Sequence, residues 1–208
     1  SLLSKDSIFV DMSSTKYESA KLFYSNLKKT NVHFVDAPVS GGPEGAKSAT
    51  LAIMAGGDAD TFEKIKNILK TMGNPTLVGP SGSGQVAKLC NQIIVGVTIG
   101  AVAEAVILCE QVGANPENFI KAVAGGFADS KILQNHGARM IKKDFAPRGK
   151  SITHLKDMDN ILKCAKDANI SLPISKLIQS MYQNIVDRGQ GNDDHSALYK
   201  EILEQNKK

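Results

Sequence analysis

The chain has 208 residues, 42% of them hydrophobic and 22% charged, with no tryptophan, the composition of an ordinary soluble globular protein with one or two domains. Its formal net charge of +4 comes from 25 basic and 21 acidic residues that are scattered along the chain. No Lys/Arg run is interleaved with aromatics, which argues against nucleic acid as a partner and suits a small anionic substrate equally well. Cys90, Cys109 and Cys164 are odd in number and lie in apolar helical contexts, so they read as core residues of a reducing compartment, not as disulfides or metal ligands. Residues 1–6 are polar and charged and do not resemble a signal peptide.

In chain order, the apolar run 7–12 predicts a strand, and Ser13-Ser14-Thr15 suits the cap of a following helix over 16–30, where Ala20, Phe23, Tyr24 and Leu27 share a face. Strands are expected over 33–37 and 51–55, the latter stopped by Gly56-Gly57-Asp58. A helix over 62–72 carries Phe62, Ile65, Ile68 and Leu69 on one face and is ended by Gly73, and a last short strand covers 76–78. Alternating strands and helices predict an α/β layer. The layer is small and its first strand calls for neighbours, so it is expected to be the tail of a larger sheet.

The pattern changes at Gly79-Pro80-Ser81-Gly82-Ser83-Gly84, beyond which no strand is expected. Residues 85–112 read as one helix of about 28 residues, roughly 40 Å long. Gly96 and Gly100, four apart, weaken it but allow close approach of another helix. The nearly apolar stretch 93–109 is short for a membrane span and contains Thr98 and Glu104, so a helix buried in protein is expected, with no membrane partner. Further helices follow over 116–124, 131–142, 152–168, 173–188 and 195–206, with Pro173 at one start and Asp194 capping the last. The predicted division is 1–82, α/β, and 83–208, all-helical.

Two phosphate-site patterns are weak here. Gly82-x-Gly84-x-x-Ala87 has the form of a dinucleotide fingerprint, but the helix continues past the place where a strand should return, and the glycines read as a hinge. The stretch 41–48 resembles a P-loop, yet Ala46 precedes Lys47 where glycine is needed, and no helix is expected to follow. The chemistry-bearing segment is the one that continues to Lys88 and Asn91. Residues three apart share a helix face, so an amine and an amide project together, a set suited to handling a hydroxyl or carbonyl. Desolvation beside an apolar helix favours the neutral amine and makes such a lysine a usable acid–base group. Ser40-Gly41-Gly42, after Pro38-Val39, can present backbone N–H groups and a hydroxyl to a carboxylate, though an ordinary turn reads as well. Lys156-Asp157 is either a surface ion pair or a third functional segment. His33, His136, His154 and His195 show no metal-ligand spacing, and Asp194-His195-Ser196 holds triad residue types without triad geometry.

Taken together, five segments in order resemble the β-hydroxyacid dehydrogenase family, whose members include 3-hydroxyisobutyrate dehydrogenase and tartronate semialdehyde reductase and to which 6-phosphogluconate dehydrogenase is related. They are Val10 to Ser14, Asp36 to Gly42, Gly82 to Asn91, Leu155 to Met158, and Asp194 to Leu198. The resemblance implies the fold: the later part of a Rossmann-type NAD(P)-binding domain over 1–82, then a long interdomain helix and an all-α substrate and dimerisation domain over 83–208. It also implies the activity, reversible hydride transfer between NAD or NADP and a small 3-hydroxy acid or its semialdehyde, and the residue roles. Lys88 is the general acid or base and Asn91 holds the substrate beside it. Ser40, Gly41 and Gly42 bind its carboxylate, Ser14 and Lys156 contact the cofactor, and Asp157 supports Lys156. A dimer or tetramer, in the cytoplasm or a mitochondrial matrix, is likewise implied. The sequence departs from the family pattern at Tyr17, where proline is usual, and at Ala49, where glycine is usual. The family's first strand and Gly-rich loop have no counterpart in the sequence, so the chain by itself is expected to be inactive. The competing reading is a non-catalytic helical assembly module; intact Lys88, Asn91 and Ser40 argue against it.

Overall fold

Parallel pairing of two short apolar strands opens the fold. In the computed structural model, which describes residues 3–207, β1 (Ile8–Asp11) and β2 (His33–Asp36) lie in register from Ile8–His33 to Asp11–Asp36, joined by helix α1 (Tyr17–Lys28). After β2 the chain continues through β3 (Val39–Ser40) into a short helix α2 (Gly42–Lys47). Strand β4 (Leu51–Gly56) then runs antiparallel to both, meeting β2 at Asp36–Gly56 and β3 at Val39–Ile53 and Ser40–Ala52. Helix α3 (Ala59–Lys70) returns the chain to β5 (Gly73–Gly79), parallel to β4.

The α/β core follows from two periodicities. On β4, Leu51, Ile53 and Ala55 are buried while Ala52 is exposed, the alternation of a strand with one covered face. On α3, Phe62, Ile65 and Leu69 recur at helical spacing and pack with them and with Val35 and Ala37. Each such large side chain removed from water contributes about 1.5–3 kcal/mol.

Several local features differ from the sequence expectation, among them Cys90, which is exposed rather than in the core, and the start of α1, where Lys16 rather than Ser13–Thr15 takes the cap position without a side-chain bond. Gly73 does not end α3; it opens β5, where a Cβ would lie 2.0 Å from the Leu51 carbonyl oxygen, so only glycine permits the strand contact. The elements β3 and α2 are too short, and α2 (Gly-Pro-Glu-Gly-Ala-Lys) too poor in helix formers, to leave a periodic signal. The expected helix over 131–142 contains a π-helical stretch, Leu133–Gly137, before α6 (Ala138–Ile141).

Helix α4 (Ser83–Gln111) carries the chain from the first compact unit, ending at Asn91, into the second, beginning at Gln92. The second unit is helical: α5 (Pro116–Ala122), the π segment and α6, α7 (Ser151–Asp167), α8 (Pro173–Asp187), a 3-10 turn (His195–Ala197) and α9 (Leu198–Gln205). Gly96 and Gly100 serve the close approach expected of them. A Cβ on Gly96 would lie 2.6 Å from His154 Nε2 of α7, and one on Gly100 2.9 Å from Ile178 Cδ1 of α8. Ile99, Val102, Ala103 and Val106 of α4 are buried, as are Met158 and Ile161 of α7, Tyr182 and Ile185 of α8, and Leu198 of α9. Asp194 caps the 3-10 turn that leads into α9, accepting from Ser196 N–H.

Candidate active site

The start of α4 is held by a buried carboxylate. Asp36, at the end of β2 and fully buried, accepts from Gly82 N–H at 2.7 Å and from Gln85 N–H at 2.9 Å. A helix N-terminus carries partial positive charge and unpaired N–H groups, and here an anion from the protein itself satisfies them. Burial pushes the Asp36 pKa up, against the lowering effect of the Gly82 and Gln85 N–H groups. The glycines of this segment are therefore packing positions, not a slack hinge. A Cβ on Gly84 would lie 2.4 Å from the Met54 carbonyl oxygen and 2.5 Å from that of Asp36, and one on Gly82, at φ +92°, would lie 2.7 Å from the ring of Tyr17. Tyr17, the departure from the family pattern, thus fills space that Gly82 leaves.

This anchoring places Lys88 and Asn91, both half-buried, on the first turns of α4. The loop after β1 reaches the same place. Asp11 accepts from Ser13 N–H at 2.9 Å, and the buried Gln85 accepts from Thr15 N–H at 3.0 Å and donates to the Ser13 carbonyl at 2.9 Å. Ser14 sits between these bonded residues and is half-buried. Ser40 ends β3, and Gly41 and Gly42 turn the chain into α2 at φ +140° and +63°, both exposed. Ser14, Lys88 and Asn91 thus stand on elements pinned together through Gln85 and Asp36, while Ser40–Gly42 continues the chain that contains Asp36.

In the second unit, α7 presents Lys156 and Asp157. The Lys156 amine lies 3.0 Å from Asp157 Oδ1, with Asp157 buried and Lys156 exposed. Gln92 donates to the other oxygen, Oδ2, at 2.6 Å, tying α7 to α4. The functional reading of the sequence missed Asp36, Gln85 and Gln92 as organisers. Asp36 and Gln85 lay inside quoted motifs, but only tertiary structure reveals that their partners are 46 and about 70 residues away.

The fold also collects histidines whose sequence spacing gave no sign of it. His136 and His195 face each other with Nε2 atoms 2.8 Å apart, and the His154 ring lies 5.5 Å from that of His195. Asp194 joins His136 and His195 in an arrangement of metal-ligand types. Its oxygens, however, already accept from Ser196 Oγ at 2.6 Å and N at 3.1 Å, from Gly149 N at 3.1 Å and Arg148 N at 3.2 Å, and lie 3.3 Å from the Arg139 guanidinium. A carboxylate so engaged, beside a fixed cation, acts as a structural knot between the 145–150 loop and the start of α9. Burial, then neighbouring positive charge, holds the His136 and His195 pKa values at about 4. Burial works to raise Asp194, but the Ser196 hydroxyl, His195 and the backbone donors together hold it at about 2.

The α4 N-terminus also decides how a dinucleotide fits. The Gly82 and Gln85 N–H groups are taken by Asp36, so Gly82–Gly84 offers no phosphate cradle there. A mixed α/β layer, a long helix bearing an amine–amide pair and a helical second unit suit a nicotinamide-dependent oxidoreductase. Comparison with known proteins refines this. The family model for the NAD-binding domain of NADP-dependent 3-hydroxyisobutyrate dehydrogenase matches residues 82–202, and that for the NAD-binding domain of 6-phosphogluconate dehydrogenase matches residues 1–96. The 2-hydroxy-3-oxopropionate reductase of Escherichia coli is 41% identical over 199 residues, covering 95% of this chain and 68% of its own length. The mitochondrial 3-hydroxyisobutyrate dehydrogenase of Drosophila melanogaster is 32% identical, with 95% and 63% covered. Among solved structures, 3-hydroxyisobutyrate dehydrogenase from Salmonella typhimurium superposes with a TM-score of 0.87 at 26% identity, covering 96% of this chain and 70% of that one. The chain belongs to the β-hydroxyacid dehydrogenase family, NAD(P)-dependent oxidoreductases, as its five motifs implied.

Proposed function

We propose that the protein interconverts a small 3-hydroxy acid and its semialdehyde, with Lys88 as the acid–base group. The observation that carries this reading is the seating of Lys88 and Asn91 one turn apart on α4, whose start is locked to the end of β2 by Asp36. Bound NAD or NADP would supply the hydride acceptor or donor. In the direction of reduction, the Lys88 ammonium gives a proton to the carbonyl oxygen; in oxidation, the neutral amine takes it from the hydroxyl. Asn91 offers an N–H donor and a carbonyl acceptor to the same oxygen and holds it against Lys88. The Ser40 hydroxyl and the Gly41 and Gly42 N–H groups hold the substrate carboxylate, where the absence of side chains lets the ligand approach the backbone. Ser14 and Lys156 contact the cofactor, and Asp157 holds the Lys156 amine at 3.0 Å. The substrate class is supported by the names of the E. coli and Drosophila relatives.

In this reading residues 1–82 form the cofactor side and 83–208 the substrate and dimerisation part of a homo-oligomer, in the cytoplasm or a mitochondrial matrix. The test is nicotinamide absorbance with a panel of 3-hydroxy acids and semialdehydes, alongside cofactor titration by nicotinamide fluorescence. In a full-length parent protein, Lys88→Ala is expected to lower kcat at least about 100-fold, the ordinary scale of general acid–base catalysis, with cofactor affinity and folding unchanged. Normal turnover by that variant would sink the assignment.

A further inference from the structure

Gln85 is 1% exposed and spends every polar group of its side chain on one loop. Its Oε1 accepts from Thr15 N–H at 3.0 Å and its Nε2 donates to the Ser13 carbonyl at 2.9 Å, so the two bonds bracket Ser14. Its own backbone N–H is held by Asp36 at 2.9 Å. Lys88 follows three residues later, on the same face of α4. Asp11 also accepts from Ser13 N–H, a turn that orders the loop's beginning but does not tie it to α4.

We infer that Gln85 is a positioning residue that registers the Ser13–Thr15 loop against the helix bearing Lys88. The inference rests on the roles proposed above for Ser14 and Lys88. The physical argument is one of matched donors. A primary amide alone among side chains offers an N–H donor and a carbonyl acceptor on one rigid plane, the complement of a backbone C=O and an N–H two residues apart. Both bonds run from the buried Gln85 side chain to a partly buried loop, so their loss removes the loop's tie to α4 and frees it to move. Hydride transfer demands close relative placement of cofactor and substrate. A loop that contacts the cofactor and a helix that protonates the substrate therefore gain from a shared rigid link. Gln85 supplies that link, and the end of β2 anchors it through Asp36.

The inference is tested with Gln85→Met, which keeps length and volume while removing both polar groups, and Gln85→Glu, which keeps the acceptor for Thr15. Hydrogen exchange is read amide by amide in the full chain. In Gln85→Met, exchange at Thr15 is expected to accelerate about tenfold, the equivalent of one ordinary hydrogen bond, while Gly82, still held by Asp36, keeps its protection. In a full-length parent protein carrying the same substitution, NADH and NADPH affinity is expected to weaken and kcat to fall, with KM for the hydroxy acid nearly unchanged; Gln85→Glu recovers the Thr15 protection and part of the cofactor affinity. Unchanged exchange at Thr15 overturns the clamp, and faster exchange with unchanged cofactor affinity and kcat overturns its role in positioning. If the parent protein binds neither cofactor, the proposed roles of Ser14 and Lys88 fail first, and exchange at Thr15 alone then decides the clamp. Should Gln85→Met fail to fold, Gln85→Asn, too short to reach both partners, supplies the same comparison.

Discussion

At the scale of single residues, burial converts unremarkable polar side chains into organisers. Asp36 is fully enclosed, and its two oxygens satisfy N–H groups at the start of α4. Asp36→Ala is expected to cost about 1–3 kcal/mol in denaturant unfolding, because it leaves buried donors without acceptors. Asp36→Asn should cost a similar amount, since its NH2 group must face one of the same N–H donors. The juxtaposition of Lys88 and Asn91 was legible in the sequence because it is local: three residues on a helix suffice to bring them together. Asp36 and Gln85 were not, because a capping carboxylate 46 residues from its helix has no periodicity to betray it.

At the scale of elements, close backbone approach rather than flexibility explains the glycines. Gly84 lies between the Met54 and Asp36 carbonyls, so Gly84→Ala has to push the start of α4 off the strands. We expect it to lower stability by about 1–3 kcal/mol or more, the range for overpacking, and to reduce turnover with it. Gly113, with φ +80° and open space around it, provides the contrast: alanine there should cost only about 1 kcal/mol of backbone strain. Chemical denaturation of both variants checks the difference. Helix α4 itself was visible from its apolar run, and α3 from its i, i+3 and i+4 pattern. Elements of two to six residues, β3 and α2, escaped because they contain less than two turns or alternations. The π-helical widening at Leu133–Gly137 likewise has no sequence period of its own at that length.

At the scale of the whole molecule, pH and assembly are the informative variables. Below pH 6.5 the unfolded chain takes up protons on His136 and His195 that the native cluster, with pKa values of about 4, does not. Stability is therefore complete above pH 6.5 and falls as pH drops toward 4. Asp194, held at about 2, extends the loss below 3.8. Each pKa unit corresponds to about 1.4 kcal/mol, so the melting temperature should fall by several degrees between pH 7 and pH 4.5. His136→Leu should flatten that profile, and a melting temperature independent of pH in the parent would refute the account. Assembly is read separately. Ile94, Leu108 and Val112 at α4, with Ile174 and Leu177 on α8, are exposed in the single chain. Burying such side chains favours a homo-oligomer, and light scattering is expected to return a dimer or tetramer; a monomer at micromolar concentration would contradict it.

By itself, the sequence determined the class of the fold, the long helix, the lysine–asparagine pair and the family, because periodicity and short motifs are local and survive without coordinates. Tertiary structure alone decided how those pieces are held: the carboxylate that occupies the helix N-terminus, the glutamine that brackets Ser14, the glycines that seal backbone against backbone, and the gathered histidines. Each of these depends on partners tens of residues apart, and their bonds become strong only where folding has removed the competing water.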